Sequence, residues 1–149
     1  MNRSKRLQPI AELAAHHEKE ASKQLADSRE RVAQQEQMLV ELIDYHAEYS
    51  STELMSHAAT ANPVRLQDYR LFLDRLEHAI MRQRELIARL REDLDHSHTH
   101  WSERRSQRKA LDNVTDRYAR AEARDEQTRE QRQLEEVSAL LRTRKTHTR

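Results

Sequence analysis

The run with metal-ligand character is His96-Ser97-His98-Thr99-His100. On a helix, His96 and His100 share one face at a spacing of four and offer two imidazoles to Zn²⁺ or Ni²⁺. His98 falls on another face. No third ligand is obvious, and a structural zinc site wants four. The run reads as an exposed polar stretch before Trp101, with no metal. Cysteine is absent, which removes thiolate, disulfide and zinc–thiolate chemistry. Glycine is absent too, so no loop is available to cradle phosphate. Serine and histidine are plentiful, but nothing arranges a nucleophile, a base and an oxyanion hole in a water-excluding pocket. The expectation is a protein that is not an enzyme and carries no cofactor.

The composition explains why no such pocket forms. Charged residues make up 36% of the 149, and proline occurs only at Pro9 and Pro63. Ala, Glu, Lys, Leu, Arg and Gln dominate, as in long helices and coiled coils. Phe72 and Trp101 are the only large aromatics besides tyrosine. That is too little apolar volume for a globular core, but a two-stranded seam buries only two positions per heptad. Lys and Arg number 27 against 26 Asp and Glu, a net charge of +1, with the signs interleaved. Interleaving marks a solvated helix face and argues against nucleic acid, which selects clustered basic residues. The basic start Met1–Arg6 is not followed by an apolar run, so neither a secretory signal nor a membrane span is expected. The expected location is the cytoplasm.

Two apolar repeats set the architecture. Ala21, Leu25, Ser28, Val32, Gln35, Leu39, Leu42, His46 and Tyr49 recur at steps of three and four. Tyr69, Leu73, Leu76, Ile80, Gln83, Ile87, Leu90, Leu94, Ser97 and Trp101 do the same. This is the spacing of a heptad seam. Small and polar residues fill the interval between them, and Asn62-Pro63 is a strong helix breaker. The predicted fold is all-α, a single antiparallel two-helix coiled-coil hairpin. Helix one spans about 7–50 with Pro9 in its first turn, the bend about 51–63, and helix two about 64–118 or beyond. Pairing the polar seam residues Gln35 and Gln83 sets a register. It puts Leu39 against Ile80, Leu42 against Leu76, Val32 against Ile87, Leu25 against Leu94, and Leu7 beside Leu111. Helix two then overhangs the N-terminus, and residues from about 115 onward lack a partner within the chain.

A thin hairpin acts by touching other proteins, so its faces are the candidate sites. Phe72 precedes the seam position Leu73 and is expected to be exposed. With Tyr69, Leu76 and Ala79 it makes a stripe at steps of three, four and three beside the bend, where an aromatic anchor suits a protein interface. Trp101 lies on the seam opposite Glu18 and reads as core. A second candidate is the basic terminal end, where Arg3, Lys5 and Arg6 lie toward Arg142, Arg144 and Lys145 and suit an acidic partner. Just before that tail, Leu134, Val137, Leu140 and Leu141 form a short amphipathic patch.

The segments Leu42-Ile43-Asp44-Tyr45-His46-Ala47-Glu48-Tyr49 and Tyr69 through Ile80 resemble the flagellar export protein FliJ family. Trp101 and Lys109-Ala110-Leu111-Asp112 add to the likeness, which extends over nearly the whole chain. The off-seam residues Asp44, Tyr45, Glu48 and Phe72 make it more specific than a shared heptad. The resemblance implies a cytoplasmic component of the flagellar type III secretion apparatus, with a hairpin similar to the stalk subunit of rotary ATPases. It implies association with the export ATPase ring and with the cytoplasmic domain of the export gate. It also implies escort of export chaperones, and membrane association through partners only, at the inner face of the cell membrane. Phe72, Leu76 and Ala79 fall in the stripe associated with gate binding, and the terminal end would enter the ATPase ring. The His-rich run at 96–100 departs from the family pattern, and the far C-terminus carries no matching motif. The alternative is a free-standing structural coiled-coil oligomer without a motor partner.

Overall fold

The computed structural model describes residues 2–147. Three helices follow one another: α1 (Arg3–Tyr49), α2 (Thr52–Ala61) and α3 (Pro63–His147). No strand occurs among the described residues. The long helices α1 and α3 pack against each other as a helical hairpin.

Helix α1 starts at Arg3, earlier than its sequence suggests, so Pro9 lies inside it. Pro9 cannot donate to the Lys5 carbonyl, a loss usually tolerated only in a first turn. The turns before Pro9 are held by contacts to α3 through Arg3 and Ser4.

The expected bend contains a helix. No Gly or Pro interrupts residues 52–61, and Ser51 caps the start, its hydroxyl accepting from the Leu54 amide at 3.5 Å. Asn62 is extended, as a residue before proline prefers. Its side-chain oxygen accepts from the Val64 amide at 3.1 Å and its carbonyl from Leu66 at 3.1 Å, which starts α3 with Pro63 in the first turn.

The chain divides into two compact units. In the unit Glu20–Ser102, the side chains least exposed are Ala21, Leu25, Val32, Leu76 and Ile87, all heptad positions. Leu39, Leu42, Ile80, Gln83, Leu90, Leu94, Ser97 and Trp101 are half-buried along the same seam. Gln83 donates its amide to the Gln35 side-chain oxygen at 2.7 Å and to the Gln35 carbonyl at 3.0 Å. The Ser28 and Ser97 hydroxyls meet at 3.0 Å. Arg91 pairs with Glu36 at 2.6 Å and His46 with Glu77 at 3.2 Å.

In the other unit, residues 2–19 pack on residues from 103 onward. Ile10, Leu13 and Ala14 line a shallow apolar groove with Ala110 and Leu111. Arg108 bridges across to Glu18 and along its own helix to Asp112 at 3.1 Å. Ser4 donates its amide to Glu122 at 3.2 Å, and its hydroxyl bonds the same carboxylate. The Arg3 guanidinium sits 5.6 Å from the centre of the Tyr118 ring. Every described residue after Glu122 is exposed.

These contacts correct the register set from Gln35 and Gln83. That register would put Ser28 opposite Leu90 and Ser4 opposite Val114. Ser28 instead meets Ser97, and Ser4 meets Glu122 about two turns further along α3. Leu111 lines one groove with Ile10, Leu13 and Ala14. The cause is the length of the glutamine side chain. Gln83 reaches both oxygens of Gln35, so the amides meet where the backbones are not level. The overhang consequently begins after Glu122, not near 115.

Candidate partner-binding surfaces

Beside the bend, α1 and α3 bring three aromatic rings together. Tyr45 and Tyr49 are one helical turn apart on α1, with ring centres 4.6 Å apart. Phe72 on α3 meets them edge-on, at 5.4 Å from Tyr49 and 6.2 Å from Tyr45. T-shaped contacts at such distances are favourable geometry for aromatic pairs. Phe72 remains 37% exposed and Tyr45 43%, with exposed Leu71 beside them. The cluster is an apolar face that the seam does not cover.

The four residues of the predicted stripe lie at different depths. Phe72 is exposed, Ala79 and Tyr69 are half-buried, and Leu76 is buried at 9% exposure. Leu76 supports the surface from below and cannot itself serve as an exposed anchor while the hairpin is closed. The Tyr69 hydroxyl is buried and has no hydrogen-bond partner among the described residues. Such a group costs free energy relative to its hydrated state. Heptad spacing places Tyr49 on the seam and Tyr45 off it, and spacing alone does not show them as neighbours of Phe72. The signal available was their spacing of four together with a register that brings the second seam back beside them. A hydrogen bond with Tyr45 that favours the protonated hydroxyl, together with charge repulsion from Tyr45, pushes the Tyr49 hydroxyl above its ordinary pKa.

The basic residues do not form one patch. Arg3 is stacked at Tyr118, with Lys5 and Arg6 exposed nearby on α1. Arg142, Arg144 and Lys145 lie on the exposed last turns of α3, about 36 Å further along that helix. Between them α3 carries both signs of charge. The shared basic end expected from the sequence is therefore two separate groups.

The imidazoles at 96, 98 and 100 are exposed, and the His98 ring lies 5.9 Å from the Trp101 ring. Trp101 is half-buried, while Glu18 finds its ion-pair partner in Arg108. Among the described residues, no three His, Asp or Glu side chains converge as metal ligands. None of the described helices is long and apolar enough to cross a membrane.

Two long helices packed along a buried and half-buried heptad seam make this a helical-hairpin protein of the coiled-coil class. The sequence matches the profile of the flagellar FliJ protein over residues 3–147, and the chain belongs to that family. It is accordingly a component of the flagellar export apparatus, in a family that is not catalytic. Comparisons with curated proteins and with solved structures returned no match.

Proposed function

We propose that this chain links the export ATPase ring to the cytoplasmic domain of the export gate and escorts export chaperones. It works in the cytoplasm, held at the inner face of the cell membrane through those partners. The observation that carries this reading is the Tyr45–Tyr49–Phe72 cluster, with Tyr45 and Phe72 exposed beside a seam whose aliphatic positions are buried or half-buried. Aromatic groups in that setting are the residue types that anchor protein interfaces. Phe72 is the anchor of the gate contact, Tyr69 and Ala79 flank it, and Leu76 holds the surface up. Arg3, Lys5 and Arg6 form one cationic contact to the ATPase ring, and Arg142, Arg144 and Lys145 a second. Capture of the tagged full chain from a flagellated cell lysate tests the reading. Export ATPase and gate protein should be retained together. Retention of neither would overturn it.

A further inference from the structure

One face of the unpaired arm of α3 carries an ordered sequence of chemistries. Glu126, Glu130, Leu134, Val137, Leu141 and Arg144 follow one another at steps of four, four, three, four and three, which keeps them on a single stripe. Leu140 and Lys145 widen it. The stripe is acidic at its start, apolar in the middle and basic at its end. The apolar part is bare: Leu134 is 69% exposed, Val137 53%, Leu140 69% and Leu141 56%. The start of α1 lines a groove with α3 that ends at Arg129, where Asn2 and Arg3 lie beside Glu122, Glu126 and Arg129, so the apolar part of the stripe lies beyond it.

A stripe that runs from acid through leucine to base is complementary to itself when reversed. We propose that it binds the same stripe of a second copy of this chain, with the two arms antiparallel. Glu130 of each copy then faces Arg144 and Lys145 of the other, and the leucines meet at the centre. A parallel pair would set acid on acid and base on base, so charge selects the antiparallel arrangement. The arm also has room for it. With Val137 opposite Val137, His147 lies opposite Gln127, so the partner's last turn ends beside the groove of Asn2, Arg3, Glu126 and Arg129 and short of the Ser4–Glu122 contact. An anionic membrane is the poorer occupant, because Glu126 and Glu130 lie on the same stripe and would face negative headgroups. The paired surface is small, which puts the dimer among weak, concentration-dependent associations. Pairing covers Arg144 and Lys145, so a dimer and an acidic partner at this tail would exclude each other.

Sedimentation of the full chain across concentrations from about 1 μM to about 1 mM, the span of weak affinities, reads the association directly. The mass should rise from that of one 17.8 kDa chain toward twice that value. Leu134→Asp with Leu141→Asp should hold the protein monomeric, with its helicity retained because these positions touch nothing in the hairpin. Charge reversal gives the decisive arm. A Glu126→Lys/Glu130→Lys chain and an Arg144→Glu/Lys145→Glu chain should each lose self-association at least tenfold, while an equal mixture should pair as a heterodimer. A chain that stays monomeric at every concentration overturns the proposal. So does a dimer that survives the leucine substitutions, or a mixture that fails to pair. Binding to phosphatidylglycerol vesicles without any dimer would assign the stripe to membrane instead and also overturn it.

Discussion

Gln83 on α3 donates one side-chain amide to two oxygens of Gln35 on α1, at 2.7 Å and 3.0 Å. It is a polar layer in an otherwise aliphatic stretch of seam, with Val32 and Ile87 buried next to it. Replacing one partner should cost more than replacing both. Gln83→Leu leaves Gln35 half-buried without its donor and should destabilise the hairpin by about 1 kcal/mol. Gln35→Leu with Gln83→Leu should recover that loss or exceed the parent, since an all-apolar layer leaves nothing unsatisfied. Thermal unfolding followed by circular dichroism separates the cases. A single variant as stable as the double would mean that the amide pair contributes nothing.

Seam depth should rank the aliphatic substitutions. Ile87 is 3% exposed, so Ile87→Ala should cost about 2–3 kcal/mol, toward the lower end of core truncations because a two-stranded seam can partly collapse. Leu134→Ala on the unpaired arm should leave dilute protein within about 0.5 kcal/mol of the parent. Equal losses at the two positions in denaturant titrations would contradict the burial pattern.

The seam was legible because heptad spacing is a direct image of which side chains face the second helix. Ala21, Leu25, Val32, Leu76 and Ile87 are the residues that such spacing selects. The register was less legible. A glutamine pair is a loose ruler, because its side chains are long enough to meet across an offset. Helix α2 was hidden because serine, threonine and histidine read as turn residues, although without glycine or proline nothing between Ser51 and Asn62 stops a helix. The aromatic face was half legible. Phe72 stood out as an off-seam aromatic, but its contact with Tyr45 and Tyr49 needs the third dimension.

Phe72→Ala should separate binding from folding, though not completely. The ring touches Tyr45 and Tyr49, so its loss should lower stability by about 0.5–1.5 kcal/mol for the aromatic contacts. Leu76→Ala, at a buried position, should cost about 2 kcal/mol or more. If Phe72 anchors the gate contact, its truncation should weaken binding to the isolated gate domain more than tenfold, as expected for an interface hot spot. Calorimetric titration beside circular dichroism reads both quantities. Parent-like affinity with an intact fold would remove Phe72 from the contact.

The start of α1 should release from α3 in acid. Glu122 accepts from the Ser4 hydroxyl, and this bond above all holds its carboxyl below the usual range; partial burial opposes it, and the Ser4 and Arg3 amides and the charge of Lys5 add to the lowering. A carboxylate with a lowered folded pKa contributes stability that is fully present above its unfolded value of about 4.3 and lost as pH falls through the lower folded value. The Ser4 amide resonance should therefore hold its position from neutral pH to about 5 and move in the range below 4.3. Glu122→Gln keeps an acceptor for Ser4 but no charge, and should abolish that acid-range movement while the rest of the helix titrates as before. A Ser4 amide that titrates identically in the two proteins would show that Glu122 does not hold the N-terminal turn.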